Sequence, residues 1–156
     1  MRALLTRRTL LSAALAVPLS STLVLGQTAD RLDDRQVGLS MKIGIAFHDQ
    51  YFTATLYDNA STRDFVSMLP VDLTIKDFSN NEKIAYLPRK LNDEAKGPFS
   101  NAAPGDLCYY IPWGNLAFFY AGYESTRDLV RLRRLDGDPK PLRTRGEYPL
   151  RIELLL

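Results

Sequence analysis

The sequence predicts a mainly β protein, a sandwich or barrel of seven or eight short strands with one short helix. Three observations predict it. Apolar and polar residues alternate along several short segments, which is the pattern of a strand with one buried face. Asn, Asp, Gly and Pro separate these segments at the spacing typical of all-β domains. Only one segment shows a convincing helical spacing of apolar residues.

The first two predicted strands form a hairpin. Residues 41–47, MKIGIAF, alternate in polarity, and residues 51–57, YFTATLY, are rich in aromatic and threonine side chains. The HDQ segment between them is short enough for a tight connection. It contains His48, the single histidine, beside Asp49. A solvated turn residue is the favoured interpretation of His48, ahead of a general base.

A short helix is predicted in the segment STRDFVSML. Ser61 and Asp64 stand three residues apart at its start and approximate a capping box. The apolar residues of FVSML follow at i, i+3 and i+4 and give one apolar stripe, and Pro70 ends the helix. Asp58 and Asn59 precede it and are expected to form a turn rather than bind a ligand.

The rest of the chain supplies the remaining strands. The segments are VDLTIKDF, EKIAYLP, GDLCYYIP, NLAFFY and EYPLRIELLL, while LVRLRRL fits a helix or a strand. Residues 90–104 contain Gly, Pro and polar residues and are predicted to form a loop. Glu82 follows a turn and opens an apolar strand, so its carboxylate is a candidate ligand-binding group at a barrel rim.

The segment GDLCYYIPWGNLAFFY is the most informative part of the chain. Its two predicted strands are apolar on both faces, which indicates that both faces are covered. Cys108, the single cysteine, is therefore expected to be a buried, inert thiol. Tyr110, Trp113 and Asn115 each carry a polar group at or near the turn and are the main candidate ligand-binding residues.

No catalytic, metal or cofactor motif stands out. A zinc site lacks a second histidine or a cysteine pair. The chain contains neither the G-x-S-x-G word of a serine hydrolase nor a glycine-rich phosphate loop. The prediction is accordingly no catalytic residue, no metal and no cofactor.

The first 29 residues are predicted to be a signal peptide. A basic start precedes an apolar stretch and then small or polar residues, which are the three zones of a secretory leader. Within it, TRRTLL resembles the twin-arginine export signal. We expect cleavage and a periplasmic or secreted protein without a membrane anchor, with a linker at residues 30–40. Met41 as the true start is the alternative.

The charge distribution does not predict a nucleic-acid partner. The formal net charge is +2, but three basic residues lie in the leader, where no acidic residue occurs. The remainder carries 17 basic and 18 acidic residues, a formal net charge of −1. The basic character therefore belongs to the leader rather than to a basic surface.

The order of three segments resembles the bacterial cyclophilin-like fold family. TLYDNASTRDFVSMLP is followed by EKIAYLP and then by PGDLCYYIPWGNLAFFY. The resemblance covers residues 41–156 and implies a closed β-barrel of about eight strands with the helix near one end. The family is largely uncharacterised, so the resemblance implies a fold rather than an activity.

True cyclophilins, the peptidyl-prolyl isomerases, share an arginine followed by F-M-x-Q-G-G-D, of which this chain keeps only Gly105 and Asp106. Arg63 and Arg89 are the available arginines near element ends, and neither lies in that motif. The predicted function is a non-catalytic module that binds a small molecule or peptide. An isomerase acting in protein folding is the alternative, and an accessory partner of an exported enzyme is a third possibility.

Overall fold

The computed structural model describes residues 41–156, so the predicted signal peptide and linker lie outside the described residues. Within this range the chain forms eight strands, one α-helix and one short 3-10 helix. Their order is β1 (Lys42–Phe47), β2 (Gln50–Thr55), α1 (Ala60–Val66), β3 (Val71–Phe78), β4 (Glu82–Tyr86), β5 (Asp106–Tyr110), β6 (Asn115–Phe119), β7 (Leu129–Arg134), the 3-10 helix (Lys140–Arg143) and β8 (Tyr148–Leu154). The ambiguous segment LVRLRRL is therefore a strand.

The strands form one antiparallel sheet that curls into a nearly closed barrel. Their order is β2-β1-β8-β3-β4-β6-β5-β7. The two edge strands meet where the Asp136 amide donates to the Thr53 carbonyl at 2.8 Å and the Tyr57 amide donates to the Leu132 carbonyl at 3.1 Å. The Thr53 hydroxyl also donates to the Asp136 carboxylate at 2.7 Å. The mainly β barrel with one helix is confirmed, and these bonds protect edges that would otherwise pair with other chains.

Side chains fill the barrel interior. Alternate residues of every strand point inward and form one apolar cluster, which includes Phe47, Ile75, Tyr109 and Phe118. A barrel of eight strands has an interior just wide enough for such filling. The Tyr109 hydroxyl accepts a hydrogen bond from the Leu91 amide at 3.2 Å and so ties the long loop after β4 to the core.

The capping box of α1 differs from the one predicted. The helix begins at Ala60, so Asn59 occupies the cap position, and its side chain accepts a hydrogen bond from the Thr62 amide at 3.0 Å. The Thr62 hydroxyl accepts one from the Asn59 amide at 3.1 Å. Ser61 is buried instead, and Asp64 forms an ion pair with Arg89 of the loop after β4. Threonine replaces the usual Glu or Gln of the box, which is why the predicted spacing misplaced it.

The β5–β6 pair is covered on both faces, as predicted. Leu107, Tyr109, Leu116 and Phe118 face the main core. Opposite them, a second cluster of buried residues forms on the outer face of the sheet. Gly114 closes the connecting turn with a φ of +70°, a conformation that favours glycine.

Within residues 41–156, neither helix has the length and apolar composition that a membrane-spanning helix needs.

Candidate functional site

The outer face of β4, β6 and β5 brings the candidate residues onto one surface. In the strand register Tyr86 lies opposite Asn115, and Asn115 lies opposite Tyr110. Four residues from Tyr86 along β4, Glu82 lies opposite Phe119. Because side chains alternate across a strand, all of these point away from the barrel interior. Trp113 lies in the β5–β6 turn, next to the Asn115 end of this face.

One half of the outer face is closed. Cys108, Ala117, Phe119 and Leu129 are buried there, with Phe99 and Tyr123 from flanking loops packed against them. The rings of Phe119 and Tyr123 stack with centroids 3.6 Å apart and planes 5° from parallel. Burial raises the pKa of the Cys108 thiol to about 12. This cysteine is thus an inert core residue, because the thiolate is the reactive form.

The other half is open and aromatic. Trp113 is 50% exposed, Tyr86 48% and Phe78 38%. The Trp113 ring lies 5.3 Å from that of Phe78 and 5.5 Å from that of Tyr110, and it is nearly perpendicular to both, at 88° and 86°. We call the surface formed by Phe78, Tyr86, Tyr110 and Trp113 the aromatic face. Its rings are in edge-to-face contact, which fixes their positions while leaving them accessible.

Asn115 lies beneath the aromatic face and is 1% exposed. Its Nδ2 donates to the Leu116 carbonyl at 3.0 Å. Its Oδ1, by contrast, is buried and has no hydrogen-bond partner among residues 41–156. Leaving such an acceptor unpaired costs about 1–3 kcal/mol, but the atom has no access to solvent in this structure.

Glu82 is a half-buried carboxylate directly opposite Phe78 in the β3–β4 register. Within residues 41–156 its oxygens accept no hydrogen bond and form no ion pair. Burial alone raises its pKa to about 7 from an ordinary value of 4.5, because water is removed without a compensating partner. Glu82 therefore changes charge near neutral pH.

We expect Glu82 to make the domain less stable in mildly alkaline than in mildly acidic solution. Its pKa is higher in the folded state than in the unfolded state, so its contribution is favourable below the unfolded value and is lost as pH rises through about 7. Allowing for its partial exposure, the loss between about pH 5 and pH 8 is about 1–2 kcal/mol. Urea unfolding at both pH values measures it.

Glu82→Gln should remove this loss, because the amide does not ionise. Glu147→Gln, at an exposed position, is the matched control and should follow the wild-type curve. A Glu82→Gln protein with the full wild-type loss would contradict the account.

The remaining candidates have structural partners. His48 adopts a φ of 53° in its turn and stacks on Tyr148 with centroids 4.5 Å apart. Asp106 is fully buried and accepts hydrogen bonds from Tyr123 and Arg134. Among residues 41–156, no three His, Cys, Asp or Glu side chains are grouped to hold a metal ion.

Comparison with known proteins identifies the barrel. The model of the cyclophilin-like family matches residues 45–153, which begin within β1 and end within β8. This chain belongs to the cyclophilin-like family. The match spans more than two thirds of the chain and confirms the resemblance that the three segments indicated.

A solved structure has a similar fold. It is the solution structure of a hypothetical protein from Archaeoglobus fulgidus, with a TM-score of 0.59 and 14% sequence identity. The alignment covers 78% of this chain and 99% of that chain. At this identity the likeness concerns the fold alone. No curated protein matches this cyclophilin-like chain by sequence.

The sequence analysis missed two members of the aromatic face, Phe78 and Tyr86. Phe78 lies on the outer side of β3, where Thr74 and Lys76 precede it at the same parity. An aromatic residue on an otherwise polar side was the available signal. No local sequence pattern indicated Tyr86, because it is brought near Trp113 only by the pairing of β4 with β6.

Proposed function

We propose that this cyclophilin-like protein is a non-catalytic binding module and that the aromatic face is its contact surface. The observation that carries the proposal is the open group of aromatic side chains formed by Phe78, Tyr86 and Trp113. Exposed apolar groups that are contiguous mark binding surfaces, whereas single exposed residues are ordinary. A small molecule or an extended peptide would stack on these rings, and it would reach the Asn115 Oδ1 only if the covering side chains moved aside.

We also propose that the protein is exported from the cytoplasm. The basic, apolar and small-residue zones of the first 29 residues support a periplasmic or secreted site of action. The mature N-terminus of protein from its native host, read by mass spectrometry, tests this. An intact leader in the mature protein would refute it.

An isomerase is the less favoured function. It needs a donor for the prolyl nitrogen of a twisted amide, whose rotation barrier is about 18–20 kcal/mol. Arg63 forms an ion pair with Asp58, and Arg89 donates to Asp64 at 2.7 Å and to Ser67 at 3.0 Å. Both guanidinium groups are thus engaged beside α1. Acceleration of X-Pro isomerisation in a coupled assay would reverse this preference.

Removal of the Trp113 ring is expected to abolish most binding. A thermal-shift screen across metabolites and short peptides identifies ligands of the wild-type protein. For such a ligand, Trp113→Ala should weaken binding roughly 10- to 100-fold, which is the usual effect of truncating a central aromatic anchor. Isothermal titration calorimetry measures the change.

Tyr51→Ala is the matched control. Tyr51 is an exposed aromatic residue at 59%, but it lies on β2, which pairs with none of the strands that carry the aromatic face. It should leave affinity unchanged. Unaltered binding to a folded Trp113→Ala protein would rule out the aromatic face as the site.

A further inference from the structure

We propose that the aromatic face binds an organic cation, specifically an alkylammonium group. This inference rests on the proposed function and specifies the class of ligand. Two features of the described residues carry it: the arrangement of the rings around Trp113 and the unpaired carboxylate of Glu82 beside Phe78.

The rings form a corner rather than a flat stack. Trp113 is nearly perpendicular to both Phe78 and Tyr110, at 88° and 86°, with centroid distances of 5.3 and 5.5 Å. The face of an aromatic ring is electron-rich and its edge electron-poor. Rings in two perpendicular orientations therefore offer a cation more than one ring face, as in the aromatic cages that bind quaternary ammonium groups.

One cation already lies over this surface. The Nζ of Lys76 is 5.6 Å from the centroid of Tyr86, within the range of a cation–π contact. Lys76 forms no ion pair with Glu82, although both lie on the outer face of neighbouring strands. The Lys76 ammonium thus contacts the Tyr86 ring and does not pair with the Glu82 carboxylate.

Glu82 supplies the charge that selects a cation. It is half-buried opposite Phe78, and within residues 41–156 it has no ion-pair or hydrogen-bond partner. A buried carboxylate without a partner is costly, and a bound cation would compensate it. An anionic ligand would meet this charge as a like charge.

The titratable groups of β3 and β5 on this outer face, and Tyr123 packed against it, form no pair with Glu82. On β5, Cys108 is a neutral thiol, since burial raises its pKa to about 12. Asp106 on the same strand is held by Arg134, whose Nε donates to it at 2.8 Å. Burial also raises the pKa of Tyr123, which keeps that phenol neutral. Lys76 on β3 is directed at Tyr86. The outer face thus retains an uncompensated negative site.

A pair of isosteres tests the proposal. Choline and its uncharged carbon analogue 3,3-dimethylbutan-1-ol have the same shape, so calorimetry at about pH 8 isolates the effect of charge. We expect choline to bind at least about tenfold more tightly. A trimethyl-lysine peptide and its unmodified counterpart distinguish a peptide source of the group from a small molecule.

Two variants locate the effect. Glu82→Gln should reduce the preference for choline severalfold and remove its dependence on pH, whereas the wild-type preference should fall from about pH 8 to about pH 6 as Glu82 is protonated. Phe78→Ala should weaken binding of the cation, and it provides the test of the rings if Trp113→Ala does not fold. Glu147→Gln should behave as wild type.

The outcomes separate the two proposals. Equal affinity for choline and its neutral analogue would overturn the cation while leaving the aromatic face as a binding surface. The same conclusion would follow if no alkylammonium compound bound while another ligand bound and required Trp113. If no compound in the wider screen binds, the proposed function itself is wrong.

Discussion

Asp106→Ala is expected to lower the free energy of unfolding by about 3–4 kcal/mol. Asp106 is fully buried at the start of β5. Its Oδ2 accepts hydrogen bonds from the Tyr123 hydroxyl at 2.7 Å and the Ala103 amide at 2.9 Å, and its Oδ1 accepts from the Arg134 Nε at 2.8 Å. Arg131 lies 3.9 Å away with only 15% of its side chain exposed. The substitution removes the acceptor of the Tyr123 hydroxyl, the Ala103 amide and the Arg134 guanidinium, and it leaves the largely buried Arg131 without a nearby carboxylate.

Chemical denaturation of the variant measures this loss. Asp72→Ala is the matched control, because Asp72 also pairs with an arginine, at 2.9 Å from Arg151, but its side chain is 74% exposed. An exposed ion pair of this kind contributes about 0–1 kcal/mol. Similar losses in the two variants would show that burial does not determine the contribution of Asp106. If Asp106→Ala does not fold, Asp106→Asn keeps the shape and should show a smaller loss.

The strands could be predicted because each one carries its own signal. Alternation along VDLTIKDF and apolarity on both faces of DLCYY and NLAFF are properties of neighbouring residues, so they are visible without knowing the partners. Closure of the barrel is different. It depends on Thr53 and Asp136, which are far apart in the chain, and only the resemblance to the family indicated it. The cap of α1 was misplaced because Thr62 performs the role expected of an acidic residue or glutamine.

The candidate site could be predicted in part for the same reason. Trp113 lies in a short turn, and Tyr110 and Asn115 lie at the strand ends on either side of it, so their proximity follows from the sequence. Phe78 and Tyr86 join them through strand register, which no local pattern contains. The adjacent charged residues Glu82 and Lys83 show most clearly what the sequence alone cannot predict. Alternation requires one to face inward and one outward, and the sequence alone does not determine which.

Lys83 faces inward, and its removal is expected to be as costly as that of Asp106. The side chain is fully buried, its Nζ lies 2.8 Å from Asp77 Oδ1, and it also donates to the Gly146 carbonyl at 3.4 Å. The rings of Phe47 and Tyr148 lie within 6 Å of it, at 5.8 and 5.9 Å. Lys83→Ala removes the partner of a buried pair and leaves a cavity, so we expect a loss of about 3–5 kcal/mol.

Lys83→Met separates packing from charge. Methionine retains most of the volume, and Asp77 keeps a hydrogen bond from the Gly146 amide at 2.8 Å, so the expected loss falls to about 1–2 kcal/mol. Equal losses in the Ala and Met variants would mean that the charge, and not the volume, of Lys83 stabilises this part of the barrel.

The pH dependence supplies an independent test of the charge. Burial acts to raise the pKa of Asp77, but the hydrogen bonds from Lys83 and Gly146 outweigh it, and the pKa lies below its ordinary value of 3.8. The stabilisation is therefore present above that ordinary value and is lost as pH falls through the folded-state pKa. Unfolding of the wild type in urea should show this loss in acid, and Lys83→Met should show less of it. A Met variant with the wild-type acid dependence would place the origin of the low pKa in the Gly146 amide rather than in the buried ammonium.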